Sequence, residues 1–107
     1  MERTIKKVWI GKIADFPVSL GKAVRVEDRD IAVFHLSNGK IRAIANKCPH
    51  RGGVLSEGMV ANEFVFCPMH DWKINVSDGK VQAPDEGCVQ TFPTHIEDHQ
   101  VYVEMPI

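Results

Sequence analysis

Four residues in two short segments have the types and spacing to hold a metal centre. The first segment is Cys48-Pro49-His50-Arg51-Gly52-Gly53 and the second is Cys67-Pro68-Met69-His70-Asp71-Trp72. Together they read C-x-H, sixteen residues, C-x-x-H. Each segment offers one thiolate and one imidazole from a tight turn. Thiolates are soft anionic ligands that favour ferric sulfide, whereas imidazole is neutral and borderline. Replacing two thiolates by two imidazoles on one iron makes a 2Fe–2S cluster less negative and easier to reduce. Cys48 and Cys67 would then hold the inner iron, and His50 and His70 the outer one. Two ferric ions and two sulfides carry two positive charges, which two thiolates neutralise. One added electron leaves a single negative charge, which is tolerable near a protein surface. Gly52 and Gly53 let the backbone approach a bulky inorganic core, and Pro49 and Pro68 stiffen the two turns. A mononuclear zinc site is the rival, because two cysteines and two histidines also suit zinc. The short C-x-H spacing and the glycine pair fit a zinc finger poorly.

Short strands separated by turns must position these segments. Val24-Arg25-Val26 alternates as a half-buried strand does, and Ile31–Leu36 follows with mostly apolar character. Asn38-Gly39 lies between that run and Ile41–Ala45, a strong hairpin signal because both residues tolerate positive φ. Phe64-Val65-Phe66 runs into Cys67. Trp72–Val76 alternates, Asp78-Gly79 turns the chain, and Lys80-Val81-Gln82 returns. Thr94–Glu97 and Val101–Glu104 form a last hairpin around Asp98-His99-Gln100. Ile13–Phe16 has room for one helical turn before Pro17 ends it. No window sustains a 3.6-residue stripe, so an all-β sandwich or barrel-like domain is expected.

The 107 residues fit a single domain, 1–107. With a formal net charge of −1, nothing points to nucleic acid or an acidic membrane surface. No apolar stretch follows Met1–Lys7, so no signal peptide is expected, and no run is long enough for a membrane span. The expected location is the cytoplasm. Cys48, Cys67 and Cys88 are the three cysteines, and an odd number argues for metal ligands and free thiols over a disulfide framework. Cys88 is expected to be a buried free thiol. His35, His95 and His99 read as surface or structural histidines. Trp72, Val54 and Leu55 read as packing residues beside the loops. Lys47 and Arg51 stand next to the first loop, where they could steer an acidic partner.

The two segments closely resemble the Rieske 2Fe–2S family, whose motif matches Cys48, His50, Cys67 and His70. The resemblance implies antiparallel β-sheets with a small cluster-binding subdomain, about residues 45–75, whose two loops clasp the cluster. It also implies that both histidines face solvent. High-potential members carry two further cysteines and a serine at the positions of Gly53, Met69 and Trp72 here. Their absence implies a potential in the lower part of the Rieske range. Reduction of the outer iron should raise the pKa of His50 and His70, so the potential should fall with pH at high pH.

Within the low-potential branch, Asp71 after the second histidine and the stretch Glu86–Pro93 look like the small subunit of assimilatory NAD(P)H-dependent nitrite reductase. That resemblance implies a large partner subunit carrying flavin, an iron–sulfur cluster and siroheme. The alternative is the Rieske-type ferredoxin component of a ring-hydroxylating dioxygenase system. Under either reading the chain transfers single electrons and has no catalytic residues of its own. Three cysteines cannot supply a second cluster, and no Gly-rich dinucleotide fingerprint is present.

Overall fold

Lys6, Lys7 and Lys12 make the first strand look polar, yet its alternate residues have an apolar sheet to lie against. Strand β1 (Ile5–Lys12) pairs along its length with β10 (Gln100–Pro106), from Ile5↔Pro106 to Lys12↔Gln100, with a bulge between Trp9 and Gly11. The computed structural model describes residues 5–47, 54–68, 72–83 and 87–106. Over these residues the chain forms three antiparallel sheets. The first has the order β1-β10-β9, with β9 at Thr94–Glu97. The second runs β2 (Gly21–Val26), β3 (Arg29–His35), β4 (Ile41–Ala45) and β8 (Thr91–Phe92). The third is small: β5 (Met59–Ala61), β6 (Phe64–Phe66) and β7 (Lys73–Asn75).

The turns follow from local chemistry. Leu36–Lys40 joins β3 to β4, closed by the Leu36 N–H on the Lys40 carbonyl at 2.8 Å, with Gly39 at φ +88°. Asp98 and His99 both take left-handed φ (50° and 64°) between β9 and β10, the requirement of a two-residue hairpin turn that matches strand twist. Ile13–Asp15 forms a single 3₁₀ turn, with the Asp15 carboxylate accepting the Lys12 N–H at 3.0 Å.

Strand β3 is buried on both faces. Ala32 and Phe34 join Ile44, Val65, Ile74 and Val76 in one apolar cluster. Ile31 and Val33 face a second cluster with Ile41, Ala43, Val101, Val103 and Met105. The period-2 alternation of side chains therefore divides one continuous apolar run between two cores. This is why Ile31–Leu36 lacks the polar alternation of a one-sided strand.

The all-β expectation holds, and the hairpins at Asn38-Gly39 and around Asp98 are present. Lys80–Gln82 returns through isolated bridges (Ile74↔Val81, Lys80↔Cys88) rather than as a regular strand. Strands β1, β5 and β8 were not anticipated; β5 and β8 are too short to carry a pattern. No helix among the described residues is long and apolar enough to cross a membrane.

Candidate metal centre

The second cysteine segment begins where β6 ends. Phe64-Val65-Phe66 alternates around a buried Val65, and the next residue, Cys67, is completely buried. The Cys67 N–H donates to the Trp72 carbonyl at 2.9 Å, and β7 starts directly afterwards at Lys73, paired with Phe66. One backbone bond thus closes the loop that contains His70. Trp72 is half-buried and packs against the apolar cluster that includes Cys67, as expected for a packing residue.

The first segment is closed by side chains. Past the end of β4, the Asn46 side-chain oxygen accepts the Ser56 N–H at 2.8 Å, and its amide donates to the Ser56 hydroxyl at 3.0 Å. Cys48 and His50 fall between these clamp residues in sequence. A 3₁₀ turn, Leu55–Glu57, completes the return, with Leu55 wholly buried in the same cluster as Cys67. Asn46 and Ser56 were not singled out from sequence. An asparagine and a serine ten residues apart carry no signal until the loop between them is closed.

The small sheet brings the two closures to one end. Met59 follows the first loop, Phe66 precedes the second and Lys73 follows it. The pairs Met59↔Phe66 and Phe66↔Lys73 place all three at the same edge of β5-β6-β7. Gly58 makes this approach possible. A Cβ there would lie 2.2 Å from the Phe66 carbonyl oxygen and 2.9 Å from a Val65 methyl, so only glycine lets the chain leaving the first loop touch the chain entering the second.

Of the four predicted ligands, Cys67 is described, and Cys48, His50 and His70 lie outside the described residues, as do Gly52, Gly53, Met69 and Asp71. The residues present fit a cluster of neutral oxidised charge. Cys67 is a soft donor in an apolar setting, and no charged residue is buried among the described residues. Such surroundings would penalise a strongly charged centre and tolerate a neutral one.

Two expectations need correction. Cys88 is exposed, not buried: it sits on the isolated bridge to Lys80 while its neighbour Val89 turns into the core. Val54 is 43% exposed and does not pack as Leu55 does. The remaining histidines serve structure or surface. The His35 ring is 2.8 Å from the Phe16 carbonyl, His95 pairs with Glu104 at 2.5 Å, and His99 occupies the exposed turn before β10.

A strap ties the small sheet to the four-stranded one. The Val81 N–H donates to the Gly87 carbonyl at 3.0 Å, and the Val89 N–H to the Gly79 carbonyl at 2.7 Å. The Ala45 N–H then donates to the Gln90 carbonyl at 2.8 Å, and β8 pairs with β4. Gly79 has φ +76°, and a Cβ there would stand 2.1 Å from the Val89 carbonyl oxygen, so both its conformation and the close passage of the strap require glycine.

Comparison with known proteins agrees with this arrangement. Residues 6–93 match the Rieske [2Fe-2S] domain family. The ferredoxin component of the naphthalene 1,2-dioxygenase system of Pseudomonas aeruginosa is 28% identical over 100 residues, covering 91% of this chain and 95% of that protein. The structure of the Sphingomonas yanoikuyae B1 ferredoxin superposes with a TM-score of 0.85 at 25% identity, covering 94% of this chain and 100% of that one. A Mycobacterium tuberculosis protein described as an NADH-dependent nitrite reductase small subunit shares the fold, with a TM-score of 0.84 at 20% identity, covering 98% of this chain and 97% of that one. With the family match over most of its length and the all-β frame around Cys67, the chain belongs to the Rieske [2Fe-2S] domain family, and it is an electron-transfer domain whose cofactor is a Rieske-type 2Fe–2S cluster.

Proposed function

We propose that this chain is the small subunit of a cytoplasmic NAD(P)H-dependent nitrite reductase, and that Cys48, His50, Cys67 and His70 hold its cluster. In this reading the chain is one domain, with residues 45–75 as the cluster-binding part. The observation that carries the partner assignment is the stretch Glu86–Pro93. It looks like the corresponding stretch of nitrite reductase small subunits, and its described part is the strap that joins the small sheet to β4. Asp71 after the second histidine supports the same reading.

When bound, the cluster accepts and releases one electron. The chain's own residues hold and shield it. Cys67 presents its thiol from an apolar wall, the Cys67–Trp72 backbone bond and the Asn46–Ser56 clamp close the two loops, and Trp72 and Leu55 exclude water behind them. The catalytic steps on nitrite belong to the large subunit, with its flavin, iron–sulfur cluster and siroheme.

The ferredoxin of a ring-hydroxylating dioxygenase system is the second reading, favoured by the 28% identity to the Pseudomonas aeruginosa component over nearly all of both chains. Co-purification separates the two, with a siroheme reductase expected as the partner and an oxygenase as the overturning result. The reduced protein should give a Rieske electron paramagnetic resonance signal with a low average g-value. In the assembled reductase, Cys48→Ser with His70→Ala in this subunit should abolish NAD(P)H-driven nitrite reduction. Full turnover after loss of the cluster rules out the relay role.

A further inference from the structure

The start of β3, the end of β4 with Asn46 and Lys47, and Gln90 and Phe92 line an open groove of about 330 Å³. Ala45 and Phe92 supply its apolar lining, and Arg29 and Lys47 its cations. Arg29 donates to the Gln90 side-chain oxygen at 3.4 Å and has no carboxylate partner among the described residues. Lys47 is exposed and likewise has no acidic partner among them. The one acid lining the groove among the described residues, Asp30, is held by Arg25 at 3.2 Å. Glu27 and Asp28, at the tip of the same hairpin, do not line it. Two main-chain donors here are already used: the Ala45 N–H by the Gln90 carbonyl at 2.8 Å, and the Asn46 N–H by the Asp30 carbonyl at 3.1 Å. The side chains of Arg29, Lys47 and Gln90 offer further donors and acceptors to a ligand in the groove.

Two cations without carboxylate partners among the described residues, beside an apolar lining, suit a carboxylate-bearing peptide, whose side-chain stems cover the apolar part while its acids meet Arg29 and Lys47. A polyanion such as nucleic acid suits the molecule less, because the chain as a whole carries a net charge of −1. We propose that this groove docks an acidic segment of the large nitrite reductase subunit. The inference rests on the partner assignment above. Asn46 lines the groove and also bonds Ser56, so a segment seated there would touch the Asn46–Ser56 clamp.

The test measures the dissociation constant of the cluster-loaded chain for the purified large subunit at low and high salt. Arg29→Glu with Lys47→Glu should weaken binding at least tenfold at low salt, and the difference should shrink as salt rises. Lys6→Glu with Lys40→Glu alters net charge equally away from the groove and should change binding less than twofold. An unchanged visible spectrum of the cluster verifies that each variant is folded; if the double reversal disturbs it, Arg29→Gln with Lys47→Gln replaces it, with an intermediate loss expected. A photo-cross-linker at position 90 should capture a segment of the large subunit richer in Asp and Glu than in Lys and Arg. Binding by the groove variant within twofold of the parent, or capture of a segment without that acidic excess, overturns the groove. Failure of the unaltered chain to bind the large subunit overturns the partner assignment, and the proposed occupant with it.

Discussion

Cys67 and Cys88 meet opposite environments. Cys67 is fully buried at the end of β6 in an apolar cluster, while Cys88 is exposed on a bridge between two irregular segments. A thiolate ligand needs a fixed position and shielding from competing water, which the first site provides and the second does not. Cys67→Ser is therefore expected to abolish iron and sulfide incorporation, and Cys88→Ser to leave both unchanged, by chemical quantification of the purified proteins. Asn46 acts at the same scale. Asn46→Ala removes both bonds of the clamp and leaves the Ser56 N–H without its partner. A loss of about 1–3 kcal/mol is expected, visible as a lower denaturation midpoint and faster cluster release to a chelator.

At the scale of elements, strand ends rather than strand middles prepare the site. β5, β6 and β7 are three residues each, too short to be stable alone, and they are held by the apolar cluster beneath them through Val65 and Ile74. Gly58 sets the spacing between the two loop stems. Gly58→Ala would force a methyl group against the Phe66 carbonyl oxygen, which is backbone and cannot rotate away. The expected cost is about 1–3 kcal/mol, and a fall of roughly 4 °C or more in melting temperature measures it. The hairpins were legible because their signals are local: Gly39, Asp98 and His99 take positive φ at the turns. β1 was hidden because Lys7 is a surface residue whose ammonium pairs with Glu97 and lies 4.8 Å from the Tyr102 ring centroid, partners about ninety residues away in the chain.

At the scale of the whole molecule, two apolar clusters share β3. One backs the loop stems through Leu55, Cys67, Ile74 and Val76, and the other joins β3 and β4 to β10. Because the second cluster contains none of the residues that close the loops, iron removal should loosen the molecule unevenly. Hydrogen exchange on chelated protein is expected to accelerate at amides within 54–76 while those of Ile31, Val33, Val101 and Val103 stay protected. Uniform loss of protection would mean that the cluster supports the entire fold.

The family, the main hairpins and the all-β class were legible in the sequence. These are properties of short segments, set by side-chain chemistry and by the φ preferences of a few turn residues. Only the tertiary structure decided that Cys88 lies outside while Val89 lies inside, that Val54 and Leu55 part company, and that Asn46 and Ser56 close the first loop. It also decided that Gly58 and Gly79 stand where no side chain fits. Each of these depends on register and approach between segments distant in the chain, and a difference of one residue along a strand turns a side chain from the core to solvent.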